Sequence, residues 1–270
     1  MATKAGEIII VDSVTALTPQ ATGAVAVTAS HGGRYPAQVA ASHGLRGVLF
    51  SDAGLGLDGA GIAGLALLQS LGVPAAAVSH LSARIGDGQD VWKRGVISAV
   101  NEAAAALGCR EAQSVTVAAE RLRRGPPCPK RTLALTEARV LLRQGTVPVW
   151  GLDSNSLVRT ADAGAVVVTG SHGGLLGGRP GTAVKADVLA AVYNDAGIGI
   201  DGAGISRLPA LAARGIAAAT VAAASARIGE ARSTWERGVL SAVNEPAAAA
   251  GATPGMTVRD FVAAILAAAA

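Results

Sequence analysis

Two stretches of this chain read almost alike. Asp52-Ala53-Gly54-Leu55-Gly56-Leu57-Asp58-Gly59-Ala60-Gly61-Ile62 recurs as Asp195-Ala196-Gly197-Ile198-Gly199-Ile200-Asp201-Gly202-Ala203-Gly204-Ile205. Each copy sets two carboxylates and four glycines between an apolar run (Gly47–Phe50, Val188–Val192) and a helical pattern (Ile62–Leu71, Ile205–Ala213). That order predicts a strand, a tight polar loop and a helix start. Such a loop offers backbone N–H groups and the positive end of a helix dipole, and reads as half of a ligand site built twice.

The repetition extends well beyond the loop. Asp12-Ser13 returns as Asp153-Ser154, Ser30-His31-Gly32-Gly33 as Ser171-His172-Gly173-Gly174, and Ser82-Ala83-Arg84-Ile85-Gly86 as Ser225-Ala226-Arg227-Ile228-Gly229. The block Trp92–Glu102 matches Trp235–Glu245. Numbers differ by 141 between Ser30 and Ser171 but by 143 between Asp52 and Asp195, so the second half gained residues near Gly177-Gly178. We read a tandem duplication with an N-terminal repeat at 1–125, a Pro-rich linker at 126–132 and a C-terminal repeat at 133–270.

In the first repeat, strands are expected at Glu7–Val11, Gly23–Thr28, Gly47–Phe50 and Val73–Val78. Helices are expected at Tyr35–Ser42, Gly59–Leu71 and Ala112–Arg124, with a long one over Gln89–Leu107 capped by Asp87. A further helix at Leu133–Arg143 precedes strands Val147–Leu152 and Ala165–Thr169. Strands alternating with helices imply βαβ units with right-handed crossovers. The strands are continuous apolar runs, as a sheet covered on both faces requires. The expected fold is therefore α/β: two halves with mostly parallel sheets flanked by helices, related by a pseudo-twofold axis.

Composition narrows the function. The net charge is +4, yet the basic residues are dispersed; the densest group, Arg121, Arg123, Arg124, Lys130 and Arg131, flanks Pro126-Pro127-Cys128-Pro129 with no interleaved aromatics. This reads as a solvated linker, not a nucleic-acid surface. Cys109 and Cys128 lack zinc-ligand spacing, so no metal site is expected. The N-terminal Met-Ala-Thr-Lys-Ala-Gly-Glu has no apolar leader, and Phe261–Ala270 is too short to span a bilayer. A soluble cytoplasmic protein with a small-molecule substrate is expected, with no nucleic-acid or membrane partner and with homo-oligomerisation left open.

The repeated polar blocks each follow a strand, and the carboxyl ends of parallel strands are where ligands bind. Tight turns alone account for the glycines but not for the retained Ser30, His31, Asp52, Asp58 and Arg84. Gly54-x-Gly56-x-x-Gly59 matches the dinucleotide fingerprint formally. The acidic residue that should end the next strand is missing, and Asp52 and Asp58 would repel a pyrophosphate, so no cofactor is expected.

Ser30 or Ser171 is a candidate nucleophile, with Gly32-Gly33 or Gly173-Gly174 as oxyanion donors. The alternative is a carboxylate-binding nest in which the serine only donates a hydrogen bond. His31, His172, Asp52, Asp195 and His80 are candidate acid–base groups; Asp52 also suits orienting an imidazole or capping its own loop. Arg84 and Arg227 suit a carboxylate clamp or a salt bridge to Asp52 or Asp58. Ser82, Ser225, Asn194, Asp58 and Asp201 complete the expected binding residues. His80 stands apart because its counterpart is Ala223. Trp92 and Trp235 read as core, and His43 as a surface residue at a helix end.

In using internal repeats around a central site, the chain is similar to ring-opening cyclic amide hydrolases, such as those acting on cyanuric acid and barbiturate. Those enzymes have three repeats and Ser–Lys pairs; here there are two repeats and no lysine in the repeated motifs, so no residue carries over. The sequence thus leads to a cofactor-independent hydrolase of a small polar, carboxylate-bearing amide or cyclic amide. A cofactor-free lyase or isomerase acting on a small carboxylate, and a non-enzymatic small-anion-binding protein, are the alternatives.

Overall fold

Alternation of buried side chains along each central strand shows why the sheets form. Val25, Val27 and Ala29 face one side while Ala26 faces the other; Leu49 opposes Val48 and Phe50, and Ala76 opposes Ala75 and Ala77. Both faces are apolar, so both must be covered. The computed structural model describes residues 6–270; Met1–Ala5, the start of the stretch read above as lacking a leader, lie outside the described residues.

The chain divides into two compact units, the first of residues 1–55, 59–136 and 199–201, the second of 56–58, 137–198 and 202–270. The first holds β1 (Ile8–Val11), β2 (Val25–His31), α1 (Arg34–Ser42), β3 (Gly47–Ser51), α2 (Ala63–Ser70), β4 (Ala75–Val78), α3 (Gly88–Arg94), β5 (Ile97–Val100), α4 (Glu102–Ala106) and α5 (Val115–Leu122). Its sheet has the order β1-β2-β3-β4-β5, parallel throughout except for the antiparallel β5. α1 and α2 cover one face, while α3 and α5 cover the other. The four parallel strands lie in chain order, so the sheet has no point where strand order reverses and therefore no crevice of the doubly wound kind.

The second unit holds β6 (Arg139–Arg143), β7 (Val149–Leu152), β8 (Val166–His172), β9 (Ala190–Asn194), α6 (Arg207–Ala212), β10 (Ala217–Val221), α7 (Ala231–Arg237), β11 (Leu240–Val243), α8 (Glu245–Ala249) and α9 (Val258–Ala268). Its six strands run in the order β11-β10-β9-β8-β7-β6, with the outer strands β11 and β6 antiparallel to their neighbours. Two mixed, mostly parallel sheets flanked by helices make an α/β fold. Among the described residues no helix is long and apolar enough to cross a membrane.

Two expected helices are absent. Residues 89–107 form α3, β5 and α4 in place of one long helix. Ile97–Val100 pairs with β4, and Asn101 then starts α4: its Oδ1 accepts the N–H groups of Ala104 and Ala75, and its Nδ2 donates to Val73 O. Sheet pairing, which is non-local, overrides the helical propensity of the alanines. The expected helix at 133–143 is likewise replaced by irregular chain and β6, which pairs with β7 and is pinned where Ala138 N–H donates to the Asp153 carboxylate at 2.7 Å. Asp87 does cap α3, accepting from Asp90 N at 3.0 Å. The Pro-rich segment packs on the first unit through Cys128 N–H to Leu45 O and Arg131 N–H to Ala41 O.

Candidate functional site

Most of the repeated polar residues hold the turns in which they sit. Ser30 Oγ accepts the Val14 N–H at 2.9 Å and lies 3.5 Å from Ser13 Oγ; Ser171 Oγ accepts the Asn155 N–H at 2.8 Å. Gly32 N–H donates to Ser51 O and Gly173 N–H to Asn194 O. Gly33 N–H donates to His31 Nδ1, and Gly174 N–H to His172 Nδ1, at 3.2 Å each. All four glycine N–H groups are thus committed inside their own units. A donated N–H needs a lone pair on His31 Nδ1, and desolvation by the surrounding protein pulls the His31 pKa from 6.5 to about 4. His31 is neutral at physiological pH.

Ser82 Oγ donates to Ser79 O and accepts from Val96 N; Ser225 Oγ does the same with Ala222 O and Val239 N. Asn194, fully buried, accepts from Ala196 N and donates to Ala226 O. His43 ends α1, its Nδ1 2.8 Å from Val39 O. Trp92 and Trp235 pack against their cores.

The opening loop is strained in both copies. Ala53, Leu55 and Asp58 have φ of 49°, 60° and 55°, and Ala196, Ile198 and Asp201 have 49°, 62° and 58°. A β-branched residue such as Ile198 rarely adopts this region. The tightness has a visible cause: a Cβ on Gly61 would meet Asp52 O at 2.2 Å, and one on Gly204 would meet Asp195 O at 1.8 Å. The buried carboxylates organise the turn. Asp52 Oδ1 accepts Gly54 N–H at 3.1 Å and His80 N–H at 2.9 Å; Asp195 Oδ1 accepts Gly197 N–H and Ala223 N–H, both at 2.9 Å.

One group exceeds this shared scaffold. His80 Nδ1 lies 2.8 Å from Asp52 Oδ1, with 20% of the histidine side chain and 5% of the aspartate side chain exposed. Burial acts to raise the Asp52 pKa, but hydrogen bonds from the His80 side chain and backbone outweigh it and hold the carboxyl below its ordinary value. An ionised carboxylate only accepts, so Nδ1 carries a proton, and in the neutral form of the ring the lone pair is on Nε2. The Ser98 hydroxyl is the weakest of the influences that lower Asp52; its Oγ is buried without a hydrogen-bond partner among the described residues. Its counterpart Ser241 bonds Thr220 Oγ1 at 3.0 Å, and in the first unit the place of Thr220 is taken by Ala77.

The arginines are held by aspartates. In the first unit Asp201 Oδ2 accepts from Arg84 Nε at 2.9 Å and Arg94 Nη2 at 2.6 Å, and Asp90 ties both arginines together by accepting from Arg84 N and Arg94 Nε. In the second, Asp58 Oδ2 accepts from Arg227 Nε at 2.8 Å, while Ser233 takes the place of Asp90. Both arginines form salt bridges, Arg84 with Asp201 and Arg227 with Asp58. Sequence reasoning missed Arg94, although Arg94 and Arg237 recur in the Trp92–Glu102 block and its twin.

Among the described residues no group of three or more His, Cys, Asp or Glu side chains suits a metal ion. A cleft of about 450 Å³ in the second unit, lined by Arg143, Thr146, Val147 and Leu266, lies at the end of β7 opposite to Asp153. Comparison with models of protein families, with curated proteins and with solved structures returns no match.

Proposed function

We propose that the chain is an enzyme that moves a proton on a small polar, carboxylate-bearing substrate, a lyase or isomerase by class, with His80 as the acid–base group and Asp52 as its orienting partner. The observation that carries this reading is the 2.8 Å contact between His80 Nδ1 and Asp52 Oδ1, which leaves Nε2 as a base on a partly exposed ring. Such a positioned imidazole contributes about 10²- to 10⁴-fold to a proton transfer. Hydrolysis through a serine nucleophile has less support. Ser30 and Ser171 each receive a backbone N–H, and Gly32, Gly33, Gly173 and Gly174 have no N–H free for an oxyanion. The reading suits a cytoplasmic protein, with Cys109 and Cys128 present as free thiols.

The test is a panel of small carboxylates and cyclic amides incubated with the protein in D₂O and followed by ¹H NMR. The expected outcome is exchange of a C–H beside a carbonyl, lost in His80→Ala and Asp52→Asn and kept in Ser30→Ala. Ring opening without exchange, abolished by Ser30→Ala, would overturn the proposal in favour of the serine hydrolase.

A further inference from the structure

The backbone of His80 is held from two sides. Asp52 takes its N–H and its Nδ1–H, and the Ile200 N–H donates to its carbonyl at 2.8 Å. Ile200 belongs to the segment 199–201 of the first unit, and the residue after it is Asp201, anchored by Arg84 and Arg94. The second unit repeats the arrangement with nothing to position: Leu57 N–H donates to Ala223 O at 2.8 Å, and Asp58 is anchored by Arg227. Ala223 has no ring. The same backbone device therefore occurs once beneath an imidazole and once beneath a methyl group.

We infer that Asp201 is a positioning residue for His80: its ion pairs with Arg84 and Arg94 fix the 199–201 segment so that the Ile200 N–H holds the His80 backbone, and with it the imidazole, in register with Asp52. This deepens, and rests on, the reading of His80 as the proton carrier. Asp201 touches neither Nδ1 nor Nε2 in this arrangement, and acts only through the peptide that receives Ile200. The electrostatics agree, since the hydrogen bond from Arg94 is the largest influence that lowers the Asp201 pKa, with Arg84 adding to it. The carboxylate is thus ionised across the range in which an imidazole titrates. The two arginines are in turn kept in place by Asp90, which has no acidic counterpart in the second unit, where Ser233 stands.

The experiment compares Asp201→Asn with Asp58→Asn. Asn, like Asp, adopts the left-handed backbone of both positions more readily than most non-glycine residues, so each variant keeps its turn and loses only charge. The readout in the absence of substrate is NMR of the imidazoles, with the His80 signals assigned by their loss in His80→Ala. Asp201→Asn is expected to move the His80 Nδ1–H resonance and its titration midpoint, and Asp58→Asn to leave both in place. On the substrate found in the D₂O panel, Asp201→Asn is expected to lower kcat about 10- to 100-fold with KM little changed, as misplacement of a catalytic group does. Unchanged His80 signals in Asp201→Asn would overturn the positioning role, as would equal changes in both variants. Because the imidazole signals need no substrate, that failure is separable from failure of the acid–base reading, which His80→Ala tests on turnover.

Discussion

The segment that follows the histidine turn is built differently in the two units. In the first it is helix α1, lying against α2 so closely that a Cβ on Gly64 would come within 2.4 Å of Gly33 O and 2.6 Å of Ala37 Cβ. In the second the corresponding chain makes short 3-10 turns at Leu176–Gly178 and Pro180–Thr182, and Gly64 is replaced by Arg207. The Arg207 guanidinium, almost fully buried, donates to the carbonyls of Thr182, Ala183 and His172 and sits 5.1 Å from the Tyr193 ring centroid. Where a helix satisfies its own backbone, the turns leave carbonyls that a cation must satisfy. A mostly parallel sheet of this kind thus tolerates two solutions to the same gap, provided that every buried polar group finds a partner.

The two residues are not interchangeable. Gly64→Arg drives a long side chain into backbone oxygens and is expected to destabilise the first unit by more than about 3 kcal/mol, read by denaturant unfolding. Arg207→Ala removes the buried donor and is expected to cost about 3 kcal/mol, through unpartnered carbonyls and a new cavity. Full stability in both variants would show that the packing roles assigned to these residues are mistaken.

Titration separates the units next. The folded pKa of His31 is depressed, so its contribution to stability is complete above about 6.5 and is lost as pH falls towards about 4. Wild type should lose about 2 to 3 kcal/mol more than His31→Asn between pH 7 and pH 4, measured by hydrogen exchange of β2 amides. Glu137, at the start of the second unit, behaves in the opposite sense. Burial, aided by the charge of Asp153 and partly offset by a hydrogen bond from Ser154, raises its pKa from 4.5 to about 7. Stability is therefore greatest below about 4.5 and is lost as pH rises through about 7, and Glu137→Gln should stabilise the second unit at pH 8 by about 1 to 2 kcal/mol.

The serines on the antiparallel strands differ least. Ser241→Ala forfeits the bond to Thr220 and should cost about 1 kcal/mol, while Ser98→Ala, which loses only a weak influence on Asp52, should change stability by less than about 0.5 kcal/mol. Equal costs would mean that Ser98 has a partner in solution.

Much of this was legible in the residues. Strand ends, the α/β class and the doubled loop followed from blocks in which apolar runs give way to Gly, Asp and Ser. The antiparallel strands β5 and β11 were not legible, because Ala-rich sequence around Ile97–Val100 carries a helical pattern and only pairing with β4 decides otherwise. His80 could be singled out as the one titrating strand-end group that the other half lacks. Its tie to Asp52 spans 28 residues, within reach of a βαβ reading, whereas the partner of Arg84 lies 117 residues away. A local pattern can nominate a guanidinium for a carboxylate but cannot say which carboxylate three-dimensional folding will deliver.

The membership of residues 199–201 in the first unit has a consequence for synthesis. All other parts of that unit have left the ribosome soon after residue 136, but Asp201 follows 65 residues later. At translation rates of about 5 to 20 residues per second, this leaves an interval of about 3 to 13 s. Throughout it the nascent first unit carries Arg84 and Arg94 without Asp201, though with Asp90, and His80 with its carbonyl unbonded by Ile200. A nascent chain held in that interval would own the contact between His80 and Asp52 before the Ile200 N–H could reach the His80 carbonyl.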